Sequence, residues 1–444
     1  PLHSLQLLPG EGRKVGAELS SDPRIDGLCF TGSTPTALHI NRNMANNLSP
    51  NAPLIAETGG LNAMIVDSTA LPEQAIRDIL VSAFQSAGQR CSSLRVLYLQ
   101  EDIVEPFSKM LFGAMDELRA GNPWDISTDI GPVIDQVAEH RFKQYIEDAK
   151  SDGRLIKQLE TRTSGHYIPP TVLKINNITD LREEIFGPVL HIATFASGEI
   201  NKVIEDINIC GFGLTFGVHS RIDDRVQGFI DKLKVGNIYV NRNQVGAVVG
   251  SQPFGGEGLS GTGPKAGGPQ YLKRLTNPAK EYFEDEDGPL AEFKDIQQGI
   301  DRLDQPSATA LSVESLPGPT GESNQLSELA RGKVLCLGPT LKAANLQKQC
   351  AKSAGCTALR IANGGDIDGQ IAVETLQGLS GFDAVMYWGN ETFAREMRVA
   401  LAERPGPLLP LIANADASRL IIERHVCIDT TASGGNAELL VSVS

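Results

Sequence analysis

The chain has 444 residues, of which 41% are hydrophobic and 21% are charged. This is the ordinary composition of a globular protein, and the length predicts two to four domains. The formal net charge of −14, without a basic stripe along the chain, argues against nucleic acid as a partner. No apolar run approaches the roughly 18 residues that a transmembrane helix needs.

The seven cysteines do not form the pattern of a disulfide framework or of a metal site. They are odd in number, dispersed and without CxxC spacing, and the seven histidines are equally scattered. We therefore expect no disulfides, no metal and a reducing cytoplasm. The chain begins at Pro1 without an initiator methionine or signal-peptide architecture, so we expect it to be a piece of a longer polypeptide.

Short apolar runs alternate with helical patterns through residues 1–275, which predicts an α/β domain. The clearest predicted elements are strands at 28–30, 63–66 and 94–99 and a helix at 72–86, whose apolar residues recur at helical spacing. Cys91 therefore falls in the connection between a helix and a strand, where a side chain can meet a ligand.

The regular pattern stops at residue 277, and the sequence up to about 333 predicts an extended linker because it is rich in Pro, Gly and Ser. A second α/β pattern follows, with strands at 333–338, 358–362, 384–387 and 408–413 and helices at 341–353 and 391–404. No tight glycine motif follows its first strand, so we interpret this domain as scaffolding. Residues 428–443 have the pattern of a hairpin that turns at Gly434 and Gly435.

Two residues are candidates for chemistry, and each has an ordinary alternative. Cys91 stands among the polar residues of GQRCSS, next to Arg90, and positive potential favours the reactive thiolate. The alternative is an inert, buried small side chain. Glu57, in AETGG, ends a predicted strand before two glycines, where a carboxylate can act as a general base. The alternative is a structural or surface glutamate.

Several loop motifs could bind ligands. The turn FTGST, residues 30–34, starts a predicted helix and either offers N–H groups and hydroxyls to a phosphate or is simply a helix N-cap. The loose glycine set in residues 10–16 does not match GxGxxG. Residues 183–189 (EEIFGPV) combine carboxylates with an aromatic ring. The glycine-rich loop 241–256 could hold an anion or be a flexible connection.

Taken in order, these motifs resemble the aldehyde dehydrogenase superfamily. FTGST, ETGG, GQRC, EEIFGPV and PFGG follow one another as in that family, and five motifs in order make chance a poor explanation. Longer stretches, among them AETGGLNAMIVD, SAGQRCSSLRVL and TTASGGNAELL, are similar to its proline utilization A branch. These bifunctional bacterial enzymes carry an L-glutamate γ-semialdehyde (Δ1-pyrroline-5-carboxylate) dehydrogenase as their second active site. The resemblance is strong over residues 5–275 and patchier beyond.

The resemblance implies an aldehyde dehydrogenase fold, in which a partial Rossmann-like NAD domain joins an α/β catalytic domain and an additional C-terminal α/β domain. The implied segments are 1–58 for the last part of the NAD-binding domain, 59–275 for the catalytic domain, 276–330 for a linker, 331–425 for a non-catalytic aldehyde-dehydrogenase-like domain, and 426–444 for a C-terminal hairpin. That hairpin would cover a substrate passage or an oligomer contact.

The resemblance also implies roles for single residues. Cys91 would be the nucleophile that forms a thiohemiacetal and then a thioester, and Glu57 the general base for the hydrolytic water. NAD is the implied cofactor, and the residues expected to bind it are Gly12, Gly16, Phe30, Thr31, Gly32, Ser33, Glu184 and Phe186. The substrate, glutamate semialdehyde, would be bound by Ser92, Gly246, Ala247 and Phe254.

By the same resemblance, a proline dehydrogenase domain that holds FAD lies upstream in the same polypeptide, and the enzyme is a bacterial cytoplasmic protein able to form a homo-oligomer. The upstream part would also carry the first strands of the cofactor domain, the oxyanion-hole asparagine and the adenosine-ribose lysine. Ala37 stands where many relatives have glycine. Two alternatives stay open: a truncated, non-catalytic fragment that serves assembly or lid closure, and a dehydrogenase of another aldehyde.

Overall fold

The computed structural model describes residues 4–161, 164–276 and 282–431. Its α-helices are α1 (Ala17–Ser21), α2 (Thr34–Asn47), α3 (Pro72–Phe84), α4 (Val104–Asp116), α5 (Gln136–Ser151), α6 (Ile200–Ile209), α7 (Asp223–Lys232), α8 (Tyr271–Arg274), α9 (Phe293–Arg302), α10 (Leu341–Ser353), α11 (Thr375–Gly378) and α12 (Glu391–Ala402). Its strands are β1 (Leu28–Thr31), β2 (Leu54–Glu57), β3 (Ala63–Val66), β4 (Val96–Gln100), β5 (Leu155–Gln158), β6 (Thr171–Lys174), β7 (Val189–Phe195), β8 (Phe212–Gly213), β9 (Thr215–His219), β10 (Asn237–Val240), β11 (Glu257–Gly258), β12 (Ser312–Leu316), β13 (Glu322–Ala330), β14 (Lys333–Cys336), β15 (Thr357–Arg360), β16 (Ala384–Met386), β17 (Leu411–Ile412) and β18 (Ile421–Asp429).

The chain divides into two compact units. The first unit comprises residues 1–58, 261–313 and 327–423, and the second comprises 59–260, 314–326 and 424–444. This grouping does not test the functional segments expected from the sequence, which stay a prediction. No helix within the described residues is long and apolar enough to cross a membrane.

The second unit is built on a largely parallel sheet. Its strand order runs β10-β9-β3-β4-β7-β6-β5, and every neighbouring pair is parallel except β5 with β6. On the other side of β10, residues 425–428 of β18 pair in parallel with residues 237–240. The α/β class predicted from the alternation of strands and helices is confirmed.

Both faces of this sheet are buried, which explains why its strands are nearly continuous apolar runs. Successive strand residues point to opposite faces. Met64 and Val66 of β3 join a core cluster with α3, α4 and α5, whereas Ala63 and Ile65 join a second cluster with α6 and α7. The sequence AMIV therefore folds as a central strand because it can fill a core on both sides.

The amino-terminal part of the first unit is a strand–helix–strand element. β1 and β2 pair in parallel, with Leu28 opposite Leu54 and Thr31 opposite Glu57, and α2 connects them. The Ser33 oxygen accepts a hydrogen bond from the Thr36 N–H at 3.4 Å, so Ser33 is the N-cap of α2, and the phosphate contacts of this turn stay a prediction. Pro35 lies in the first turn of α2, where a proline costs no hydrogen bond because the first N–H groups of a helix have no partner within it.

The remainder of the first unit contains a four-stranded parallel sheet in the order β15-β14-β16-β17. Here too the strand residues alternate, with Leu335 in one buried cluster and Val334 in the other. The strands and helices predicted beyond residue 333 are present, and α10 has the predicted bounds. β17 is shorter than its predicted range of 408–413.

The prediction of an extended linker over 276–330 is wrong in part, because this range contains α9, β12 and most of β13. Ile296 and Ile300 of α9 are fully buried. Their spacing of four residues is typical of a helix, but the Pro- and Gly-rich sequence that follows favoured the prediction of a linker. At the other end of the chain, the predicted turn of the hairpin lies outside the described residues, since 432–444 are not among them.

A buried histidine links β7 to the residue before β4. His191 is 1% exposed, and its Nδ1 and Nε2 atoms lie 2.9 Å from the Arg95 carbonyl oxygen and 2.9 Å from the Tyr145 hydroxyl, respectively. Because a carbonyl oxygen only accepts, Nδ1 carries the proton and Nε2 accepts from Tyr145. Burial lowers the pKa of His191 to about 4, so the ring is neutral at pH 7.

We predict that His191→Asn makes the protein less sensitive to acid. The folded-state pKa of about 4 lies below the ordinary value of 6.5, so the unfolded state binds more protons between these values. The free energy of unfolding therefore falls as the pH drops from 6.5 to 4, by up to ~3 kcal/mol for this group. Denaturant unfolding at pH 7, 6 and 5 measures the slope.

The matched control is His140→Asn, which changes an exposed histidine of α5 and is expected to leave the slope as in the unsubstituted protein. Equal slopes for all three proteins would contradict the assignment.

Candidate active site

Cys91 follows a turn with an unusual backbone. α3 ends at Phe84, and Ser86, Ala87 and Gly88 then have φ values of 57°, 54° and 66°. The left-handed conformation costs roughly 1–2 kcal/mol for a residue other than glycine, so surrounding contacts must maintain this turn. The prediction that Cys91 lies in the connection from a helix to a strand is confirmed, since α3 precedes it and β4 follows.

A buried asparagine holds the backbone around Cys91. The Nδ2 atom of Asn62 donates to the carbonyl oxygens of Cys91 at 2.6 Å and Ser93 at 2.9 Å, and its Oδ1 accepts from the Thr215 N–H at 3.2 Å. Asn62 is only 2% exposed. One amide group therefore ties the cysteine segment to the amino ends of β3 and β9, which fixes the position from which the thiol projects.

Arg95 places a buried positive charge near Cys91. Its guanidinium group donates to the carbonyl oxygens of Gly88 at 2.7 Å and Arg90 at 3.0 Å, and it pairs with a Glu184 oxygen at 2.8 Å. Burial lowers the pKa of Arg95, whereas the charges of Glu184 and Cys91 act in the opposite direction. Arg95 and Cys91 therefore interact electrostatically, and a neighbouring cation is one general means by which proteins activate a cysteine.

The carboxylate of Glu184 lies against a pair of glycines. A side chain at residue 59 would place its Cβ 1.7 Å from the Glu184 Oε2 atom, so it would have to displace the carboxylate that pairs with Arg95. Burial raises the pKa of Glu184, and both the Arg95 charge and the Gly60 N–H oppose that shift. The Phe186 ring packs on the same guanidinium, with its centroid 5.2 Å from the Arg95 Cζ atom.

The glycine-rich loop 241–256 reaches the cysteine segment through buried polar contacts. The Nε2 atom of Gln244, which is fully buried, donates to the Ser92 carbonyl oxygen at 3.3 Å. Gly246 has a φ of 76°, and a Cβ there would lie 3.9 Å from the Arg90 Nη1 atom. The structure thus brings Ser92 and Gly246 to one region. Ala247 and Phe254, further along the loop, are partly buried.

The base of this loop is anchored to β18 and β13. Arg242 donates to Glu322 and Cys427, and its Cζ atom lies 5.4 Å from the centroid of the Tyr239 ring. Gln252 donates to the second oxygen of Glu322 at 3.0 Å. Burial raises the pKa of Cys427 to about 12, so this thiol is a neutral acceptor and not a nucleophile.

In the first unit, the carboxyl ends of β1 and β2 bring the FTGST turn beside Glu57. Gly32 donates its N–H to the Glu57 carbonyl oxygen at 3.1 Å. Thr31, Gly32 and Ser33 are exposed in front of the helix that Ser33 caps. Phe30 packs over Gly32, where a Cβ would lie 2.5 Å from the ring.

Gly12 and Gly16 lie apart from that turn in sequence, at the two ends of a π-helical turn that leads into α1. Glu57 belongs to the first unit and Cys91 to the second, and the division falls between Thr58 and Gly59. Each unit therefore assembles its own part of the predicted residue set: the FTGST turn and Glu57 in one, and Cys91, Ser92, Glu184, Phe186 and Gly246 in the other.

Sequence reasoning missed three residues that organise this site, namely Asn62, Arg95 and Gln244. Asn62 directly precedes the apolar run AMIV, and Arg95 stands inside LRVLYL. A polar or charged side chain next to a buried apolar strand must find partners, and this conflict between residue type and surroundings is the signal that marks Asn62 and Arg95. Gln244 carries no comparable signal, because its loop is polar and rich in glycine.

Comparison with known proteins reveals clear relatives. The model of the aldehyde dehydrogenase family matches residues 1–280. The bifunctional protein PutA of Klebsiella aerogenes is 41% identical over an alignment 484 residues long, gaps included. The alignment covers 97% of this chain and 37% of that protein. The 1-pyrroline-5-carboxylate dehydrogenase of Geobacillus sp. (strain WCH70) is 38% identical over 279 residues, which cover 61% of this chain and 54% of that enzyme.

Solved structures agree with these matches. A crystal structure of bifunctional proline utilization A (PutA) is 51% identical with a TM-score of 0.58, over 60% of this chain and 27% of that one. A 1-pyrroline-5-carboxylate dehydrogenase from Thermus with bound NAD is 37% identical with a TM-score of 0.55, over 60% of this chain and 52% of that one. This chain therefore spans only part of the length of each relative.

We predict that Gly88→Ala destabilises the protein more than Gly153→Ala does. Both glycines have left-handed backbones, with φ values of 66° and 72°, so both variants incur the same conformational strain. A Cβ at residue 88 would also lie 2.2 Å from the Gly187 carbonyl oxygen, whereas nothing lies within 4 Å at residue 153. Denaturant unfolding should show an additional loss of about 1–3 kcal/mol for Gly88→Ala; equal losses would contradict the described packing.

Proposed function

This chain belongs to the aldehyde dehydrogenase family, and from this premise we propose that it carries the L-glutamate γ-semialdehyde dehydrogenase activity of a PutA-like bifunctional enzyme. The predicted aldehyde dehydrogenase fold is confirmed by the matched structures. The environment of Cys91 is the observation that carries the proposal. Its thiol stands on a segment fixed by Asn62 and close to the buried guanidinium of Arg95.

The proposed reaction begins at the sulfur. The Cys91 thiolate attacks the aldehyde carbon, a C–S bond forms, and the carbonyl electron pair moves to oxygen, which gives a thiohemiacetal. When the C=O bond forms again, the hydrogen on that carbon leaves as hydride and a thioester remains. NAD, when bound, supplies the acceptor for that hydride. Arg95 supports the first step because its charge favours the thiolate.

Hydrolysis of the thioester completes the proposed cycle. Glu57 takes a proton from a water molecule as that water attacks the thioester carbon, and the C–S bond then breaks. Glutamate is released and the cysteine returns to its thiolate form. Glu57 and Glu184 have different proposed tasks, since Glu184 is engaged by Arg95 and the Gly60 N–H.

The residues present fit a dinucleotide. The 14-residue helix α2 points its amino end at the exposed Thr31–Ser33 turn, and free N–H groups and the helix dipole at such an end favour a diphosphate. In the proposal, Gly32 and Ser33 line the diphosphate, with Phe30, Gly12 and Gly16 on the same cofactor. Glu184 would accept hydrogen bonds from the nicotinamide ribose, and Phe186 would pack near the ring.

The substrate's α-carboxylate would be bound by Ser92 and by the backbone at Gly246 and Ala247. The left-handed φ of Gly246 supports this assignment, because successive N–H groups next to such a residue can form an anion-binding concavity. Phe254 would contact the aliphatic part of glutamate semialdehyde. An aldehyde without the amino-acid end would lose these contacts and bind less well.

The proposed setting is a longer bacterial polypeptide in a reducing cytoplasm. The support is the similarity of 97% of this chain to a protein described as bifunctional, of which the chain spans 37%. The proposed partner is a proline dehydrogenase domain upstream in the same polypeptide, which would hold FAD, and a homo-oligomer is also proposed. Residues 331–425 would be a non-catalytic domain.

We predict that Cys91→Ser abolishes turnover. Loss of the nucleophile should lower the rate of NADH formation with glutamate semialdehyde by roughly 10³-fold or more, while NAD binding, followed by fluorescence quenching, stays within about twofold because the cofactor residues are intact. Cys29→Ser is the matched control, since it changes an exposed free cysteine, and it should leave the rate unchanged. A Cys91→Ser protein that still turns over would refute the proposed nucleophile.

We predict that Glu57→Gln stalls the enzyme after oxidation. Without a general base, thioester hydrolysis should slow by about 10²–10⁴-fold, so rapid mixing should show a burst of NADH followed by a slow phase. Mass spectrometry should then find the acyl group on Cys91. The control Glu18→Gln changes an exposed glutamate of α1 and should show no burst; a normal steady-state rate for Glu57→Gln would contradict the role.

A further inference from the structure

A cavity in the first unit is lined by three arginines and has no part in the proposed dehydrogenase site. It is bordered by α2, the start of β2, Thr262 and residues 408–411. Its volume is about 50 Å³. On the same measure one water needs roughly 10–15 Å³, so the cavity can hold a few waters or one small oxyanion. None of the described residues that line it is acidic.

The three arginines are Arg274, Arg398 and Arg419. Arg398 is 8% exposed, and its Nη1 atom donates to the carbonyl oxygens of Ser49 at 2.6 Å and Pro50 at 2.8 Å, which fixes its orientation. The Nε atom of Arg419 is buried and has no hydrogen-bond acceptor within the described part of the chain. Such a donor costs about 1–3 kcal/mol, and a bound acceptor would remove that cost.

The arginines are close enough to repel one another. Burial lowers the pKa of Arg274 to about 9, and the charges of Arg419 and Arg331 act in the same direction. Burial also lowers the pKa of Arg419 to about 10; Asp416 opposes this shift and Arg398 adds to it. With pKa values of about 9 and 10, Arg274 and Arg419 stay protonated at pH 7, so the region concentrates positive charge.

The charges of Asp416 and Glu423 act on Arg274 against the effect of burial, but both carboxylates also accept hydrogen bonds from other groups. An Asp416 oxygen accepts from the backbone N–H and the hydroxyl of Ser418, at 3.0 Å and 2.5 Å. A Glu423 oxygen accepts from the Lys265 N–H at 2.8 Å. Neither acid lines the cavity. The positive charge that faces the cavity is therefore not neutralised by its own lining.

We propose that this cavity binds a small oxyanion, either a phosphate or a carboxylate, through Arg274, Arg398 and Arg419. Guanidinium groups recognise both chemistries with paired N–H donors. The site is distinct from the proposed cofactor residues, because it borders the start of β2 at Leu54, whereas the FTGST turn lies with Glu57 at the carboxyl ends of β1 and β2. It therefore does not depend on the proposed dehydrogenase activity.

The test is thermal unfolding of the protein titrated with inorganic phosphate and, separately, with glutarate, at constant ionic strength held with chloride. Binding should raise Tm by about 2–4 °C in a saturable way. A larger rise with phosphate assigns a phosphate ligand, and a larger rise with glutarate assigns a carboxylate. No rise beyond that in chloride with either anion would overturn the proposal.

Arg274→Gln and Arg419→Gln should each remove most or all of the rise in Tm that phosphate or glutarate causes. Neither should lower Tm in chloride alone, because each relieves repulsion among the arginines. Arg221→Gln, which changes an exposed arginine of the second unit, should respond to the anions as the unsubstituted protein does. A full anion response in both cavity variants would overturn the assignment.

Diffraction from crystals of the unsubstituted protein soaked in selenate gives a readout that does not depend on the folding of a variant. An anomalous selenium peak among the three arginines supports the site, and its absence there, at a concentration that saturates the Tm response to phosphate, overturns it.

Discussion

The arrangement around Cys91 depends on a single buried cation. Arg95 stabilises the turn that leads into the cysteine, because its guanidinium group donates to the carbonyl oxygens of Gly88 and Arg90. The same group neutralises Glu184 and supports the ring of Phe186. The backbone turn, the carboxylate position and the ring position thus share one origin, and a change at this arginine would affect all of them together.

The two units place their candidate residues at different ends of their strands. In the first unit, Glu57 and the turn that begins at Thr31 lie at carboxyl ends, where ligands of open α/β sheets generally bind. In the second unit, Asn62 and Thr215 hold the cysteine segment at the amino ends of β3 and β9. There, Asn62 donates to the carbonyl oxygen of Cys91 and so fixes the backbone from which the thiol projects.

The sequence allowed prediction of those features that depend on local pattern. Strands such as AMIV, the N-cap at Ser33 and the placement of Cys91 between α3 and β4 follow from periodicity and residue type. The helix that contains Ile296 was not predicted, because the composition of the neighbouring sequence is typical of a linker and only one pair of buried residues in the helix has helical spacing. The contact from Arg95 to Glu184 joins residues 89 positions apart, and no local pattern of a single sequence encodes such a distance.

The glycine at residue 59 limits which substitutions this position can accept. The space that the methyl group of an alanine would need is already filled by an oxygen of Glu184. Gly59→Ala would therefore displace a carboxylate that is mostly buried. Glycines with open surroundings, such as Gly113 and Gly228, could accept a methyl group without such a displacement, so the same substitution has very different structural consequences along this chain.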